Sequence, residues 1–338
     1  MSDLDAGTLA GWLRDSVSAG LDAVEKFPGG QSNPTYQVAT SRGAFVLRRK
    51  PFGPLLPSAH AVDREYRLLA ALHPTGFPVP RPIALCEDES VIGAPFYLME
   101  LVEGRTFWDG TLPDLPRADR RACYEGMVDT LAALHAIDPR AVGLGDFGPP
   151  GNYFERQVQR WTRQYRASQT DDIPEVERLI DWLPRTLPAQ TRTAIIHGDY
   201  RIDNLIYAPD APRVRAVLDW ELTTIGDPLA DFTYLAMNWA MPRDGRSGLA
   251  GVDLQAEGLP PLDAMVERYC AASQRDGLPD LHWYFAYNLF RLVGIVQGIK
   301  KRMADGNASS AQAAATVAKL VPLAKAAWAE ARKAGAPA

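Results

Sequence analysis

The chain has 338 residues, 46% hydrophobic and 23% charged, which is ordinary for a globular protein large enough to bury an extensive core. Its formal net charge of -5 argues against general nucleic-acid binding, because no basic excess is available to neutralise phosphates. The three cysteines are far apart and form no CxxC pair, and the acidic N-terminus lacks a signal-peptide core, so we expect no zinc or disulfide framework and a soluble, cytoplasmic protein without a membrane partner.

The first third of the chain predicts a β-rich lobe. Short strand-like runs at Tyr36–Ala39 and Ala44–Arg48 are separated by Thr-Ser-Arg-Gly, which is a hairpin signal. A helix is predicted over Ser58–Leu72 and is ended by His73-Pro74. The apolar run Ala94–Leu101 predicts a strand that leaves this lobe.

Beyond that strand the pattern becomes mostly helical. Helices are predicted over Arg117–Ile137, Asn152–Arg166 and Glu175–Leu183, and through most of the chain from residue 230 onward. Residues 241–261 form a loose insert, and Pro322 is expected to kink or divide the last helical region, 311–334. The sequence therefore predicts an α+β fold with a smaller β-rich lobe, residues 1–103, and a larger helical lobe, residues 104–338, with a ligand cleft between them.

Two small predicted strands of the helical lobe, Ala194–Ile196 and Val214–Asp219, flank the polar stretch HGDYRIDN. Asp199 and Asn204 in this stretch, with Asp219 in AVLDWE, offer two carboxylates and an amide. Such a set supplies oxygen ligands for Mg²⁺ and leaves one acid to orient a hydroxyl. Each residue alone would more commonly make a turn or a helix cap, but the joint pattern is typical of phosphoryl transfer.

The motifs HGDYRIDN and LDWE resemble those of the aminoglycoside phosphotransferase-like (choline kinase-like) family of small-molecule kinases, over roughly residues 27 to 302. This resemblance implies a bilobal protein-kinase-like fold that uses ATP and Mg²⁺. It further implies that Asp199 is the catalytic base and that Asn204 and Asp219 hold the metal. Arg201 matches the place where protein kinases put a lysine that contacts the γ-phosphate, and it offers a cation to the developing charge.

Three neighbours of these motifs are given structural roles. His197 is interpreted as a hydrogen-bonded residue that shapes the loop rather than as a general base. Asp231, in GDPLADFTYL, resembles the buried acid that ties down the catalytic-loop backbone. Asp227, before Pro228, is expected to be a turn or helix cap.

The stretch FPGGQSNPTYQV supplies Gly30, Ser32 and Asn33 at a tight turn before a strand. Glycine permits close approach of the backbone to phosphates, and the small polar side chains can hydrogen-bond them. The run FYLMELVEG resembles the strand and hinge that join the lobes in this family. The resemblance places Glu100 and Val102 near the adenine base.

A cation on the following strand should face the phosphates. FVLRRKP places Arg48 where many relatives carry lysine, and arginine keeps the charge without being equivalent to lysine. Arg49 should point to the opposite face, so Lys50, on the same face, is the alternative to Arg48. Glu65 in DREYRLLAAL is the expected partner of this cation, a surface ion pair being the alternative.

The segment Gly143–Gly148 matches G-x-G-x-x-G but follows a helix and runs into Pro149-Pro150. A dinucleotide fingerprint follows a strand and opens a helix, so we interpret the match as accidental.

The acceptor is expected to be a small hydroxylated molecule, because Asp219 is followed within eight residues by Asp227-Pro228 and no D-F-G or A-P-E is present. LRRKPFGPLLPSAHAVDREYRLLAAL and CEDESVIGAPFYLMELVEGR resemble kinase-like domains found alone in bacteria or fused to acyl-CoA dehydrogenases in animals. This resemblance favours a hydroxyacyl thioester or another metabolic alcohol as the acceptor, bound near residues 269–302.

The alternative functions are an aminoglycoside antibiotic kinase and a nucleotide-binding pseudokinase that acts through partners. A metal hydrolase using His197 is disfavoured, since the other histidines show no motif spacing.

Overall fold

A five-stranded antiparallel sheet forms most of the N-terminal lobe in the computed structural model, which describes residues 4–27, 33–52, 61–149, 151–243, 247–306 and 311–337. The strand order is β1-β2-β3-β5-β4. The strands are β1 (Leu21–Lys26), β2 (Thr35–Thr40), β3 (Gly43–Arg49), β4 (Pro82–Cys86) and β5 (Phe96–Glu100). The predicted hairpin β2–β3 and strand β5 are confirmed, whereas β1 and β4 were not predicted.

The two faces of this sheet pack against different helices, α1 (Ala6–Val17) and α2 (Val62–Leu72). Successive residues of a strand point to opposite faces. Leu47 of β3 accordingly packs with Leu9 and Leu13 of α1, whereas its neighbour Val46 belongs to the core that contains α2. Arg48, two residues from Val46, therefore lies on the α2 side of the sheet.

The C-terminal lobe is helical. Its helices are α3 (Arg117–Ala136), α4 (Tyr153–Ser168), α5 (Pro174–Trp182), α6 (Leu229–Ala236), α7 (Leu254–Glu257), α8 (Leu262–Ser273), α9 (His282–Ala304), α10 (Ala311–Val317) and α11 (Leu320–Lys333). The predicted bounds of α3, α4 and α5 are confirmed to within two residues. Helix α9 is the central element, buried along most of its first four turns and packed against α4, α6 and α11.

The last helical region is divided, as predicted, but the break precedes Pro322. Residues 318–319 form a turn, and Pro322 is the third residue of α11. A proline is tolerated there, because the N–H groups of the first turn have no intrahelical partner. None of the described helices is both long enough and apolar enough to cross a membrane.

Two short strand pairs, one nested inside the other, occupy residues 194–226. The outer pair is β6 (Ala194–Ile196) with β9 (Thr224–Gly226), and the inner pair is β7 (Leu205–Tyr207) with β8 (Val214–Val217). The two strands predicted to flank the polar stretch are β6 and β8. They do not pair with each other, because β6 pairs with β9 and β8 pairs with β7. Residues 197–204 and 218–223 connect the outer pair to the inner pair, so these two connections run side by side.

Close contacts with residues of the helical lobe are made by the segment that follows β5 and by α2. Arg105 and Tyr207 exchange two backbone hydrogen bonds of 2.8 Å, and a Cβ on the preceding Gly104 would lie 2.3 Å from the Tyr207 carbonyl oxygen. Any larger residue than glycine would therefore separate the two backbones. The second contact is between α2 and the G-x-G-x-x-G segment, where Arg64 donates to the Phe147 carbonyl oxygen at 2.9 Å. That segment thus packs against α2.

Candidate active site

The carboxylate of Asp199 lies on the connection between β6 and β7 and is about one-fifth exposed. The preceding residue, Gly198, has φ +87°, and a Cβ there would lie 2.8 Å from the Leu222 carbonyl oxygen. The chain therefore turns at Gly198 in a way that a larger residue would resist. Asp199 Oδ1 lies 3.1 Å from Arg201 Nε, and Asp199 Oδ2 lies 3.3 Å from Asn204 Nδ2. The predicted base is thus held by its own loop, with a cation beside it.

The backbone before Asp199 is fixed by Asp231, which is 1% exposed. Its carboxylate accepts hydrogen bonds from the backbone N–H groups of His197, at 2.6 Å, and Gly198, at 2.8 Å. His135 Nε2 lies 3.4 Å from the same carboxylate. Burial acts to raise the pKa of Asp231, but the hydrogen bonds and the nearby histidines hold this pKa below its ordinary value. This is the contact that the family resemblance implied for Asp231.

The imidazole of His197 is fully buried, and both of its nitrogens have partners. Nε2 lies 2.8 Å from the Leu218 carbonyl oxygen, which can only accept, so Nε2 carries the proton. Nδ1 then accepts from the Asp199 N–H at 3.1 Å. A histidine engaged in this way shapes the two connections and is not free to act as a general base.

Asn204 and Asp219 are brought together by a backbone hydrogen bond of 2.8 Å from the Leu218 N–H to the Asn204 carbonyl oxygen. The Asn204 amide nitrogen donates to the Asp199 carbonyl oxygen at 2.9 Å, which leaves its oxygen Oδ1 as the remaining ligand atom. Asp219 has φ +65° and a side chain that is 34% exposed. A non-glycine residue with this φ is uncommon, and here its carboxylate lies 2.8 Å from Arg48 Nη2 of the other lobe.

The oxygen donors of Asn204 and Asp219 fit Mg²⁺ that arrives with a nucleotide. Among the described residues there is no group of three His, Cys, Asp or Glu side chains that could hold a metal alone. Mg²⁺ in nucleotide sites is bound through one or two protein groups, with phosphates and water completing its shell. The chemistry of the pair therefore suits a metal held jointly by protein and substrate.

Arg48 joins the two lobes through a pair of ion contacts. Its Nε lies 2.8 Å from Glu65 Oε2, and its Nη2 lies 2.8 Å from Asp219 Oδ1. The side chains of Arg48 and Glu65 are 14% and 4% exposed, so the pair is buried and the surface alternative is excluded. Lys50 lies beyond the end of β3, and Arg48 is the one of the two candidate cations that contacts Glu65.

Glu65 is also held by two neutral donors, Tyr97 Oη at 2.9 Å and Asn33 Nδ2 at 2.8 Å. Burial raises the pKa of Glu65, and Arg48 with these hydrogen bonds acts in the opposite direction. Burial also raises the pKa of Tyr97, so its hydroxyl remains a donor. A buried acid with three donors is suited to hold Arg48 in one orientation.

Asn33 also takes part in this buried group. Its side chain is 1% exposed and its amide donates to Glu65, so it supports the ion pair; a contact of Asn33 with phosphate stays a prediction. Gly30 and Ser32, predicted for the same turn, lie outside the described residues.

At the end of β5, the Glu100 N–H donates to the Arg81 carbonyl oxygen at 2.9 Å, and the Glu100 carboxylate accepts from the Arg81 N–H at 3.3 Å. Val102 follows and is half-buried. Adenine binding by backbone groups of Glu100 and Val102 stays a prediction.

The sequence interpretation missed Arg291 of α9, although this residue contacts the catalytic loop directly. Its Nη2 donates to the Gly198 carbonyl oxygen at 2.5 Å, and its guanidinium lies 4.8 Å from the ring centre of Tyr234. Tyr234 in turn hydrogen-bonds the Asp199 side chain. A signal was present, because an arginine inside an otherwise buried apolar helix is rarely tolerated without a specific partner.

A five-stranded sheet over a helical lobe, with a carboxylate loop between them, defines a kinase-like phosphotransferase. A family model described as "Phosphotransferase enzyme family" matches residues 23–283, and the chain belongs to this family. It is thus an enzyme of the small-molecule phosphotransferase class, and the bilobal kinase-like fold is confirmed.

Curated relatives include acyl-CoA dehydrogenase family members. The chain is 44% identical over 325 residues to mouse (Mus musculus) acyl-CoA dehydrogenase family member 10, covering 96% of this chain and 30% of the relative. It is 41% identical over 289 residues to human (Homo sapiens) acyl-CoA dehydrogenase family member 11, covering 85% of this chain and 37% of that relative. The chain thus spans about a third of the length of these relatives.

Solved structures extend the comparison. A Ralstonia eutropha JMP134 protein, described provisionally as an aminoglycoside phosphotransferase, is 45% identical with a TM-score of 0.89, covering 98% of this chain and 99% of that protein. A thermostable mutant of aminoglycoside phosphotransferase APH(4)-Ia, in ternary complex with AMP-PNP and hygromycin B, is 15% identical with a TM-score of 0.62. The match covers 96% of this chain and 99% of that protein. At that identity the second likeness concerns the fold alone.

Proposed function

We propose that this chain transfers the γ-phosphate of ATP, in a Mg²⁺-dependent reaction, to a hydroxyl group of a small molecule. The observation that carries the proposal is the convergence of Asp199, Asn204 and Asp219 from two adjacent connections, with Arg48 of the other lobe 2.8 Å from Asp219. A base, two metal ligands and a phosphate-binding cation are the groups that phosphoryl transfer requires.

In this mechanism Asp199 accepts the hydrogen bond, and then the proton, of the acceptor hydroxyl. Its loop is fixed from behind by Asp231 and Arg291, which makes its position largely independent of the acceptor. Arg201, beside the Asp199 carboxylate, offsets negative charge that develops on the transferred group.

The nucleotide is assigned to the cleft between the lobes. Asn204 Oδ1 and the Asp219 carboxylate would hold Mg²⁺, which supplies charge neutralisation at the phosphates when bound. Arg48, oriented by Glu65, is the proposed phosphate-binding cation. The backbone around Gly30 and Ser32 is proposed to cover the phosphates. A lobe boundary at residues 103 and 104 would place Glu100 and Val102 at the hinge, against adenine.

The acceptor is proposed to be a hydroxyacyl thioester or another metabolic alcohol. The support is the high identity to segments of two acyl-CoA dehydrogenase family members, over 96% and 85% of this chain. An aminoglycoside is the alternative acceptor, supported by the Ralstonia eutropha structure and by 25% identity over 195 residues to an aminoglycoside 3'-phosphotransferase of Streptomyces fradiae. The two acceptor classes are separated by direct assay.

The test is ADP release from Mg-ATP across hydroxyacyl-CoA thioesters, sugars, choline and aminoglycosides. Asp199→Asn should reduce acceptor-dependent ADP release by roughly 10²–10⁴-fold while ATP still binds. Asp203→Asn is the matched control, because Asp203 is a carboxylate of the same loop that also contacts Arg201, at 3.2 Å. Its effect should be much smaller.

Asp219→Ala should instead weaken the binding of Mg-ATP itself, measured by calorimetric titration. Full turnover by the Asp199→Asn protein would refute the assignment of the base. A wild-type protein that binds Mg-ATP but phosphorylates none of the panel would favour an acceptor outside it or the pseudokinase. A wild-type protein that binds no ATP would refute the proposal.

A further inference from the structure

A cavity of about 300 Å³ lies behind the catalytic loop, where its lining residue His135 contacts Asp231. It is formed by the C-terminal ends of α3 and α8 and by the start of β6. Its polar lining comprises His135, Arg192, Thr193, Tyr269, Ser273, Gln274 and Arg275. None of the described residues that line it is acidic, so the cavity is basic.

Arg275 is the cation of this cavity whose charge is not matched by a direct ion pair with any described residue. Its Nε and Nη2 atoms are buried, and its side chain hydrogen-bonds the neutral hydroxyl of Tyr269. A buried guanidinium with only a neutral partner is costly, and such charges in proteins are normally matched by an acid or a bound anion. The nearby acid Asp227 acts on Arg275 through its charge, and its carboxylate accepts the Leu229 N–H at 2.9 Å.

The second guanidinium, that of Arg192, is fixed at the cavity wall. Its two terminal nitrogens donate to the carbonyl oxygens of Ser273 and Gln274, at 2.5 and 2.6 Å, where α8 ends. Arg192 is thus held in place by the backbone, beside the cavity that Arg275 also lines. Rigid donors of this kind favour anions with planar or tetrahedral oxygen groups.

A second cavity of the C-terminal lobe shows that two arginines alone do not create such a site. It is lined by Arg213 and Arg268, but also by Glu125 and Asp129. Arg268 pairs with Asp129 at 2.6 Å, so its charge is already matched. Of these two cavities, the one behind the catalytic loop has a lining without acids and a guanidinium without a direct ion pair among the described residues.

We infer that the cavity behind the catalytic loop binds a small organic anion through a phosphate or carboxylate group held by Arg275 and Arg192. Its volume is at the lower end of the range for ligand pockets, which suits a small metabolite rather than a nucleotide. The site is separate from the proposed nucleotide cleft, and the inference does not depend on the proposed function.

The anion site is connected to the catalytic loop by hydrogen bonds. His135 in the cavity wall contacts Tyr269 Oη through Nδ1 at 2.8 Å and Asp231 through Nε2 at 3.4 Å. Asp231 in turn holds the backbone N–H groups of His197 and Gly198. An anion that orders this wall should therefore also slow amide exchange in the catalytic loop.

The first experiment titrates the full chain, without nucleotide, with inorganic phosphate and with malonate, following thermal unfolding against chloride at equal ionic strength. We expect saturable stabilisation by at least one of the two anions. Arg275→Gln should weaken that binding at least about tenfold. The matched control is Arg268→Gln, on α8, which should leave the affinity unchanged.

Two further variants make the outcome decisive. Ala272→Leu fills the cavity without removing a charge and should also weaken binding, which covers the case that Arg275→Gln fails to fold. Arg48→Gln should retain binding, because Arg48 lies in the other proposed site. Loss of binding in Arg48→Gln, full binding in both cavity variants, or stabilisation that chloride reproduces would overturn the inference.

Hydrogen exchange measures the connection to the catalytic loop. Exchange of the His197 and Gly198 amides should slow with the bound anion in the wild-type chain but not in Arg275→Gln. Unchanged exchange at saturating anion would overturn the connection to the loop.

Discussion

Replacing Asp231 by asparagine should destabilise the chain by about 2–4 kcal/mol. The carboxylate serves two buried backbone donors, the N–H groups of His197 and Gly198, and contacts His135. An asparagine oxygen can satisfy one backbone donor, but its NH₂ group faces the other. The unpaired donor costs roughly 1–3 kcal/mol, and loss of charge from the remaining bond costs about 1 more. This is a large fraction of a typical stability of about 5–15 kcal/mol.

Urea unfolding followed by tryptophan fluorescence measures the difference. The matched control is Asp227→Asn, the same substitution four residues earlier, where the buried carboxylate accepts a single N–H, that of Leu229, at 2.9 Å. We expect that variant to lose only about 1 kcal/mol. Equal losses in the two variants would refute the reasoning, since the argument depends on the number of donors each acid serves.

Acid titration provides a second readout of the same substitution. The folded-state pKa of Asp231 is lower than its ordinary value of 3.8, so its contribution to stability is fully present above that value. The contribution is lost as the pH falls through the folded-state pKa. The stability difference between wild type and Asp231→Asn should therefore be constant near neutral pH and shrink below about pH 4. A difference that grew on acidification would contradict this sign.

Two further predictions concern the geometry around the proposed base and the phosphate-binding cation. Gly198→Ala places a Cβ 2.8 Å from the Leu222 carbonyl oxygen at a residue with φ +87°. It should therefore lower the free energy of unfolding by at least about 1–2 kcal/mol and also lower turnover. The control Gly11→Ala, inside α1, should be neutral or stabilising in the same unfolding assay. Arg48→Lys should weaken Mg-ATP binding about tenfold in a nucleotide titration, because one ammonium group cannot reproduce the two-sided contact of the guanidinium; undiminished affinity would contradict that role.

Elements with regular patterns and clear breakers were predictable from sequence. β2 alternates and is joined to β3 by a hairpin signal, β5 is a continuous apolar run, and α3 runs at helical spacing until Asp138-Pro139. β1 gave no such signal, because it is an edge strand with only two half-buried positions among six. α1 did carry one, since Asp5 caps a helix whose Leu9 and Leu13 share a buried face.

Within the site, contacts inside one short loop followed from spacing, whereas contacts between distant segments did not. The pairing of Asp199 with Asn204 is local. The contact of Arg48 with Asp219 spans 171 positions and depends on how the lobes dock. The Arg291 contact with Gly198 spans 93 positions, and nothing in the spacing of the motifs identifies it. Contacts of this kind depend on how distant segments pack together, and such packing leaves no fixed residue spacing in a single sequence.

The nested strand pairs of residues 194–226 place the groups of the site in two parts. The proposed base and both proposed metal ligands belong to one stretch whose ends are joined by β6 and β9, so bringing them together costs little chain entropy. Arg48 belongs to the N-terminal sheet and reaches them only where the lobes dock. Damage to that sheet would leave the acidic half of the site formed and remove its cation, a state in which three acidic and amide groups face the cleft with no arginine opposite them.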